Sequence, residues 1–113
     1  MHCKHLGADQ YTYGAVLHIL CHEVMRGTPE CNATAISKEL LQYYKENPCS
    51  DRMLQIRLDM FSGEWFKLKG RASHIRKLGK PLLQIWRRHM DSSLEHHKMI
   101  LLILEKSVEM DDI

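Results

Sequence analysis

The stretch HIRKLGKPLLQIWRRH, residues 74–89, decides the fold. Its apolar side chains recur every three or four residues, which is the spacing of one face of an α-helix. Pro81 lies inside this pattern, where a proline removes one backbone donor and clashes with the carbonyl four residues earlier. The sequence therefore predicts a helix over about 74–89, capped by Ser73, with a kink near Gly79 and Lys80.

Periodic apolar patterns ahead of this stretch predict two helices in the first half of the chain. One covers about residues 10–26, follows Asp9 as its N-cap and ends at Gly27, a common residue after a helix C-terminus. The other follows a polar loop that ends at Thr34, its N-cap, and stops before Pro48, because the residue preceding a proline avoids helical backbone.

The remaining patterns predict shorter helices and a last long one. We expect a third helix over about 50–61 and a short fourth helix over about 65–68 that Gly70 terminates. A final helix is expected over about 93–109, with Ser92 as the N-terminal residue of a capping box. No alternating β-pattern of useful length occurs, so the fold class is all-α, with five to six helices.

The length and composition of the chain are typical of a single domain. The chain has 113 residues, of which 44% are hydrophobic and 27% charged, which is ordinary for a soluble globular protein that needs no metal or disulfide to fold. We expect a flexible arm over 1–9, a single helical domain over 10–109 and an acidic tail over 110–113. These values exclude collagen-like, low-complexity and wholly disordered chains.

The most apolar run of the chain is short. Residues 99–104 are all apolar, but a membrane span needs about 20 such residues. The first residues lack an apolar segment typical of secretory signals, which predicts an intracellular protein with reduced cysteines. The helix that carries 99–104 is apolar nearly all round, so it must pack into the body or against a partner.

The positive charge is concentrated in one segment. Residues 65–89 contain no Asp or Glu, whereas the last residues are mostly acidic. Solvated helices normally intersperse both signs, so the pattern predicts an uncompensated basic surface that binds an acidic partner. The segment contains half of the basic residues of the chain, namely Lys67, Lys69, Arg71, Arg76, Lys77, Lys80, Arg87 and Arg88.

Metal-binding and catalytic patterns are weak. His18, Cys21 and His22 share one helix face, with His2, Cys3 and His5 upstream, but no Cys-x-x-Cys pair exists. A buried small cysteine beside surface histidines explains the trio better than a metal. No nucleophile elbow or phosphate-binding loop occurs either. We therefore expect no enzyme activity, no metal and no cofactor.

Several pieces of the sequence recur together in a known family. They are ISKELL at 36–41, Asn47 with Pro48, the apolar stretch 53–61 leading to Gly63, and the basic helix of 74–88 ending in Trp86, Arg87 and Arg88. This pattern resembles the TFIIS N-terminal helical module (the LW domain), and more closely the core of the Iws/Spn transcription elongation factors.

The resemblance implies a right-handed TFIIS N-terminal-like bundle that acts as a nuclear protein-interaction module of the RNA polymerase II elongation machinery. Its partner would be an acidic-hydrophobic peptide of the Spt-six histone chaperone, steered by a basic rim and anchored on an apolar floor. Lys38, Arg88 and Met90 match basic or apolar positions of the family pattern. The predicted partner-binding residues are Lys38, Tyr43, Lys80, Trp86, Arg87, Arg88 and Met90.

A second function remains open at this point. The basic stretch 67–88 could instead contact phosphates, which would make the chain a helical nucleic-acid-binding domain. Phosphate binding favours exposed aromatics beside the charges, but Trp65, Phe66 and Trp86 fall at apolar helical positions and are expected in the core or groove floor. Arg88 lies about 200° round the helix from Trp86, so it should point outward.

Overall fold

Helices dominate the computed structural model, which describes residues 6–50, 52–53 and 55–111. Within those ranges there is no β-strand, and two short 3₁₀ turns, Leu58–Met60 and Glu64–Phe66, separate the second and third helices. The described part of the chain thus confirms an all-α fold, while its TFIIS-like arrangement stays a prediction. Its five α-helices are α1 (Leu6–Ile19), α2 (Pro29–Glu46), α3 (Ala72–Lys77), α4 (Gly79–His89) and α5 (Glu95–Asp111).

The first helix starts earlier than the sequence pattern predicted. Asp9 lies buried inside α1 and is not its N-cap. The helix continues as a π-helical segment over Leu20–Val24, so the prediction of helix over most of 10–26 is confirmed. The Asn32 side chain of α2 then donates to the carbonyls of Cys21 at 2.7 Å and Gly27 at 2.9 Å, which fixes the turn into α2.

The second helix also starts earlier, and the polar loop predicted before Thr34 is wrong. The Thr28 hydroxyl caps α2 by accepting a hydrogen bond from the Cys31 amide at 3.2 Å, and Pro29 occupies the first helical turn. Thr34 lies inside α2, and its hydroxyl donates to the Glu30 carbonyl at 3.1 Å. The polarity of this turn therefore reflects an exposed helix surface.

The helix predicted over 50–61 is absent from the described residues of that segment, apart from the 3₁₀ turn. Its backbone is held by a contact with α2, because the Ser37 hydroxyl accepts a hydrogen bond from the Ile56 amide at 2.8 Å. Met53, Ile56 and Phe61 are nevertheless buried. An irregular segment therefore places in the core the apolar side chains whose spacing suggested a helix.

The long helix predicted over 74–89 is split at Leu78 into α3 and α4, as Pro81 led us to expect. Pro81 has no N–H to offer the Lys77 carbonyl four residues earlier. The hydroxyl of Tyr44, on α2, donates to that carbonyl at 2.8 Å instead. One tyrosine thus satisfies the acceptor that the proline frees and ties α2 to the break between α3 and α4.

This contact predicts a specific loss of stability. Tyr44→Phe should reduce the free energy of unfolding by about 1–2 kcal/mol, because the Lys77 carbonyl loses its partner in a partly buried position. Tyr43→Phe is the matched control, since the Tyr43 hydroxyl has no hydrogen bond to another described residue, and should change it by less than about 0.5 kcal/mol. Urea denaturation of both variants measures the difference, and equal losses would contradict this role of Tyr44.

The last helix packs against α4. It begins at Glu95, so Ser92 is not its N-cap, and Asp91 instead accepts hydrogen bonds from the amide and hydroxyl of Ser93 at 2.9 and 2.6 Å. These bonds lower the pKa of the Asp91 carboxyl. The indole N–H of Trp86 donates to the His97 carbonyl at 3.2 Å, which joins α4 to α5 through the core.

Candidate functional site

A groove between α2 and α4, called here the α2–α4 groove, contains two cavities that share Tyr43. One cavity has a volume of about 250 Å³ and the other about 290 Å³. The first is lined by Lys38, Glu39, Gln42, Tyr43, Glu46, Pro81, Gln84, Ile85 and Arg88. The second is lined by Tyr43, Tyr44, Asn47, Cys49, Arg76, Lys77 and Lys80.

Helical spacing explains why these side chains meet. On α4, Pro81, Ile85 and Arg88 are separated by four and three residues, so they share the face that looks toward α2. On α2, Lys38 and Gln42 are one turn apart on the opposing face. The first cavity is therefore a product of two amphipathic helices packed side by side, while α3 and the residues after α2 complete the second.

Four of the seven predicted partner-binding residues line this groove, namely Lys38, Tyr43, Lys80 and Arg88. Lys38 and Arg88 are exposed at one end, and Lys80 lies at the other end. Tyr43 is half-buried between them and packs against the core, with its ring edge-on to the Tyr44 ring. The structure thus brings together residues that are up to 50 positions apart in the chain.

The other three predicted residues lie elsewhere. Trp86 is 0% exposed, so it supports α4 from the core and offers no surface to a partner, which corrects its assignment as a contact residue. Arg87 turns toward α5, where its guanidinium pairs with the Glu105 carboxylate at 2.8 Å. Met90 ends α4 and packs partly buried against the core. The inward position of Trp86 and the outward position of Arg88 are confirmed.

The positive charge of the basic stretch is compensated at its C-terminal end, which corrects the sequence-based interpretation there. Glu39 on α2 forms an ion pair with Arg88, and its second oxygen lies 2.7 Å from the His89 Nε2 atom. Glu105 on α5 neutralises Arg87. Acidic side chains of α2 and α5 therefore neutralise Arg87 and Arg88, at the end of α4.

The second cavity is the more basic end of the groove. Arg76, Lys77 and Lys80 line it, and none of the residues lining it is an Asp or Glu. The Lys77 ammonium donates to the Ser50 carbonyl, which holds its side chain across the cavity rim. Sequence reasoning missed Arg76 and Lys77 as site residues, although the absence of acids around them was a usable signal.

An exposed aromatic turn lies outside the groove. Trp65 and Phe66 have φ angles of 59° and 58°, in the left-handed region that costs about 1–3 kcal/mol per non-glycine residue. Trp65 is 74% exposed, and Phe66 is partly exposed with its ring stacked on the His18 ring at 3.9 Å. The expectation that both would lie in the core or groove floor is wrong.

His18 on α1, with Cys21 and His22 on the π-helical segment that continues it, forms no metal site in the described residues. Burial raises the pKa of the Cys21 thiol to about 11, so this side chain is a protonated hydrophobe at neutral pH. Burial, with the neighbouring His22, lowers the pKa of His18. No group of three His, Cys, Asp or Glu side chains within the described ranges could hold a metal ion. The upstream trio, His2, Cys3 and His5, lies outside these ranges.

Comparison with known proteins identifies no relative of this chain. No family model matches the chain, and no curated protein or solved structure matches it significantly. Among the described helices, none has both the length and the apolar character that crossing a bilayer requires. The resemblance to the Iws/Spn core therefore rests on the residues quoted above.

Proposed function

We propose that this chain is a nuclear protein-interaction module of a transcription elongation factor of the Iws/Spn type. In this proposal the α2–α4 groove binds an acidic-hydrophobic peptide of an Spt-six-like histone chaperone. The observation that carries the proposal is the position of Tyr43, an aromatic side chain between two cavities with cations at both ends of the groove, Lys38 and Arg88 at one and Lys80 at the other.

The dimensions of the groove favour a peptide over a small molecule. Each cavity lies just below the roughly 300–1,000 Å³ of small-molecule sites. A cavity of this size suits one or two side chains of an extended or helical peptide. Tyr43, Pro81 and Ile85 supply the apolar surface on which such anchors would rest.

The charges of the groove favour an acidic peptide. The cations at its two ends attract carboxylates and speed encounter, which is the main contribution of charged rims to binding. Glu39 and Glu46 oppose this attraction, because both line the first cavity and Glu39 already pairs with Arg88. An acidic group of the partner would compete with Glu39 for the Arg88 guanidinium, so Glu39 limits affinity and selects ligands that bring an apolar anchor as well.

The arrangement of α4 gives less support to the nucleic-acid alternative. A protein that follows a phosphate backbone needs its cations on one continuous stripe. Here Arg87 and Arg88 leave α4 toward different neighbours, and each is paired with a carboxylate. The exposed Trp65 turn offers an aromatic surface, but it lies outside the α2–α4 groove.

Charge substitutions in the groove test the proposal. Lys38→Glu should weaken binding of an acidic peptide by about tenfold or more, because attraction is replaced by repulsion. Glu39→Gln should strengthen binding, because it releases Arg88. Lys45→Glu is the matched control, since Lys45 is exposed on the same helix outside the groove lining. Calorimetry with a peptide from the acidic N-terminal region of the chaperone measures all three.

Two outcomes would overturn the groove assignment. One is the absence of any binding by the wild-type protein at about 100 μM peptide, well above the micromolar range expected of a specific complex. The other is an equal loss of affinity in the Lys38→Glu and Lys45→Glu variants. Tight binding of duplex DNA that weakens steeply with salt would support the nucleic-acid alternative.

A further inference from the structure

Another cavity lies outside the α2–α4 groove, between the irregular segment 52–60 and the residues around the start of α3. Its volume is about 560 Å³, and none of the described residues that line it also lines the groove. The Lys69 amide donates to the Met60 carbonyl at 2.7 Å, which fixes the spacing of the two chain segments. Unlike the groove cavities, this one lies within the roughly 300–1,000 Å³ of small-molecule sites.

Basic side chains outnumber acidic ones in the described lining of this cavity. The basic residues are Arg52, Arg57, Lys69 and His74, and the acidic residue is Asp59. Arg57 pairs with Asp59 at 3.2 Å, but the two side chains are 57% and 73% exposed, so this contact is weak. Lys69 is exposed and forms no ion pair with a described residue. Without counting His74, the lining has two positive charges in excess, which favours a dianion.

Arg52 is held in place beside this cavity. Its Nη1 atom donates to the Cys49 carbonyl at 2.9 Å, and its guanidinium lies over the buried Tyr44 ring, 5.6 Å from the ring centroid. Its Nε atom is buried without a hydrogen-bond partner among the described residues. Buried donors usually have a partner, so the guanidinium is fixed in position while part of its hydrogen-bonding capacity is unused.

The cavity also has an apolar wall. Met53 is buried in the core, and Met60 is partly buried against it. Methionine side chains adapt to the shape of an apolar or aromatic group that rests on them. The cavity therefore suits a ligand with an anionic group at one end and an apolar body at the other.

We propose that this cavity binds a small organic phosphate ester. Its phosphate group would contact Arg52 and Lys69, and its organic body would rest on Met53 and Met60. A phosphate monoester has a charge of about −1.5 to −2 at pH 7, which matches the excess positive charge of the lining. The planar fork of donors on a guanidinium also fits phosphate oxygens. This inference does not depend on the proposed function of the α2–α4 groove, because the two sites share no lining residue.

Titration of the ¹⁵N-labelled protein with phenyl phosphate tests the site. We expect saturable amide shifts concentrated in 52–60 and 69–74, with a Kd of about 1 mM or below, as is usual for a ligand of this size. Benzoate, which has the same ring and a single charge, should bind at least about fivefold more weakly. Inorganic phosphate, which lacks the ring, should also bind more weakly, because it makes no contact with the two methionines.

Charge substitutions connect the binding to this cavity. Lys69→Glu should weaken phenyl phosphate binding by about tenfold, because attraction is replaced by repulsion at an exposed position that can change without loss of folding. Arg52→Gln should weaken it by a similar factor. Lys45→Glu makes the same change of charge on the exposed surface of α2, outside the cavity, and should leave binding unchanged. Circular dichroism of each variant verifies that it is folded.

Several results would overturn the proposal. They are the absence of saturable shifts at about 10 mM phenyl phosphate, shifts concentrated in 76–88 of the groove, and equal losses in the Lys69→Glu and Lys45→Glu variants. Equal affinity for benzoate would contradict recognition of a phosphate, and equal affinity for inorganic phosphate would contradict recognition of an ester. A phosphotyrosine peptide that binds at least tenfold more tightly than phenyl phosphate would contradict a small-molecule ligand.

Discussion

Replacing Trp86 by alanine should reduce the free energy of unfolding by about 3–5 kcal/mol, the cost of removing a large aromatic side chain from a packed core. Trp86 is fully buried and lies where α4 meets α5. Its indole N–H donates a hydrogen bond to the His97 carbonyl, and its ring contacts the His97 ring edge-on with centroids 5.1 Å apart. Truncation would therefore leave a cavity and remove the hydrogen bond that joins α4 to α5.

The neighbouring residue provides the control for this prediction. Arg87→Ala removes an ion pair with Glu105 whose side chains are 51% and 39% exposed, and such pairs contribute about 0–1 kcal/mol. Urea denaturation followed by circular dichroism compares the two variants. If Arg87→Ala were the more destabilising change, the inner and outer faces assigned to α4 would be wrong.

Gly14→Ala should be similarly damaging, although it adds one methyl group to a helix. A Cβ atom at this position would lie 1.7 Å from the Phe66 carbonyl oxygen and 2.9 Å from the Leu68 amide nitrogen. Both are backbone atoms that cannot rotate away, so α1 and the segment 66–68 would have to separate. We expect a loss of about 3 kcal/mol, at the upper end of the usual range for overpacking.

The close approach of Gly14 to residues 66–68 is accompanied by hydrogen bonds that fix the turn at Trp65 and Phe66 against α1. The Leu68 amide donates to the Gln10 carbonyl at 2.9 Å, and the Gln10 side chain donates to the Leu68 carbonyl at 3.2 Å. Gly63→Ala is the matched control, because its Cβ would meet nothing within 4 Å. Its melting temperature should stay within a few degrees of wild type. Equal losses in the two variants would contradict close packing at Gly14.

The helices that follow strong apolar periodicity could be predicted from the sequence. The break in 74–89 followed from Pro81, and the end of α2 followed from Pro48. The segment 50–61 could not be predicted, because apolar spacing alone does not distinguish a helix from an irregular chain that crosses the core. Its conformation depends on the hydrogen bond between Ser37 and Ile56, which are 19 residues apart.

The sequence predicted some residues of the candidate site, because helical periodicity indicates which side chains point outward. Periodicity places Lys38 and Arg88 on the outer faces of their helices, and the structure brings both into the α2–α4 groove. Which acidic side chain pairs with a cation depends on the three-dimensional fold and not on the neighbouring sequence. Glu39 and Arg88 are 49 residues apart, so no local pattern indicated their contact. The left-handed backbone of Phe66 likewise accompanies contacts with Gly14 and His18 of α1 that no local pattern shows.

The central claim is that the α2–α4 groove binds an acidic-hydrophobic peptide. Its most direct test is titration of the ¹⁵N-labelled protein with the acidic chaperone peptide, following each backbone amide by NMR. We predict saturable shifts concentrated in 38–47 and 76–88, the segments that line the groove, with α5 unchanged. Shifts confined to α5 or to the turn at Trp65, or no shifts at saturating peptide, would contradict the claim.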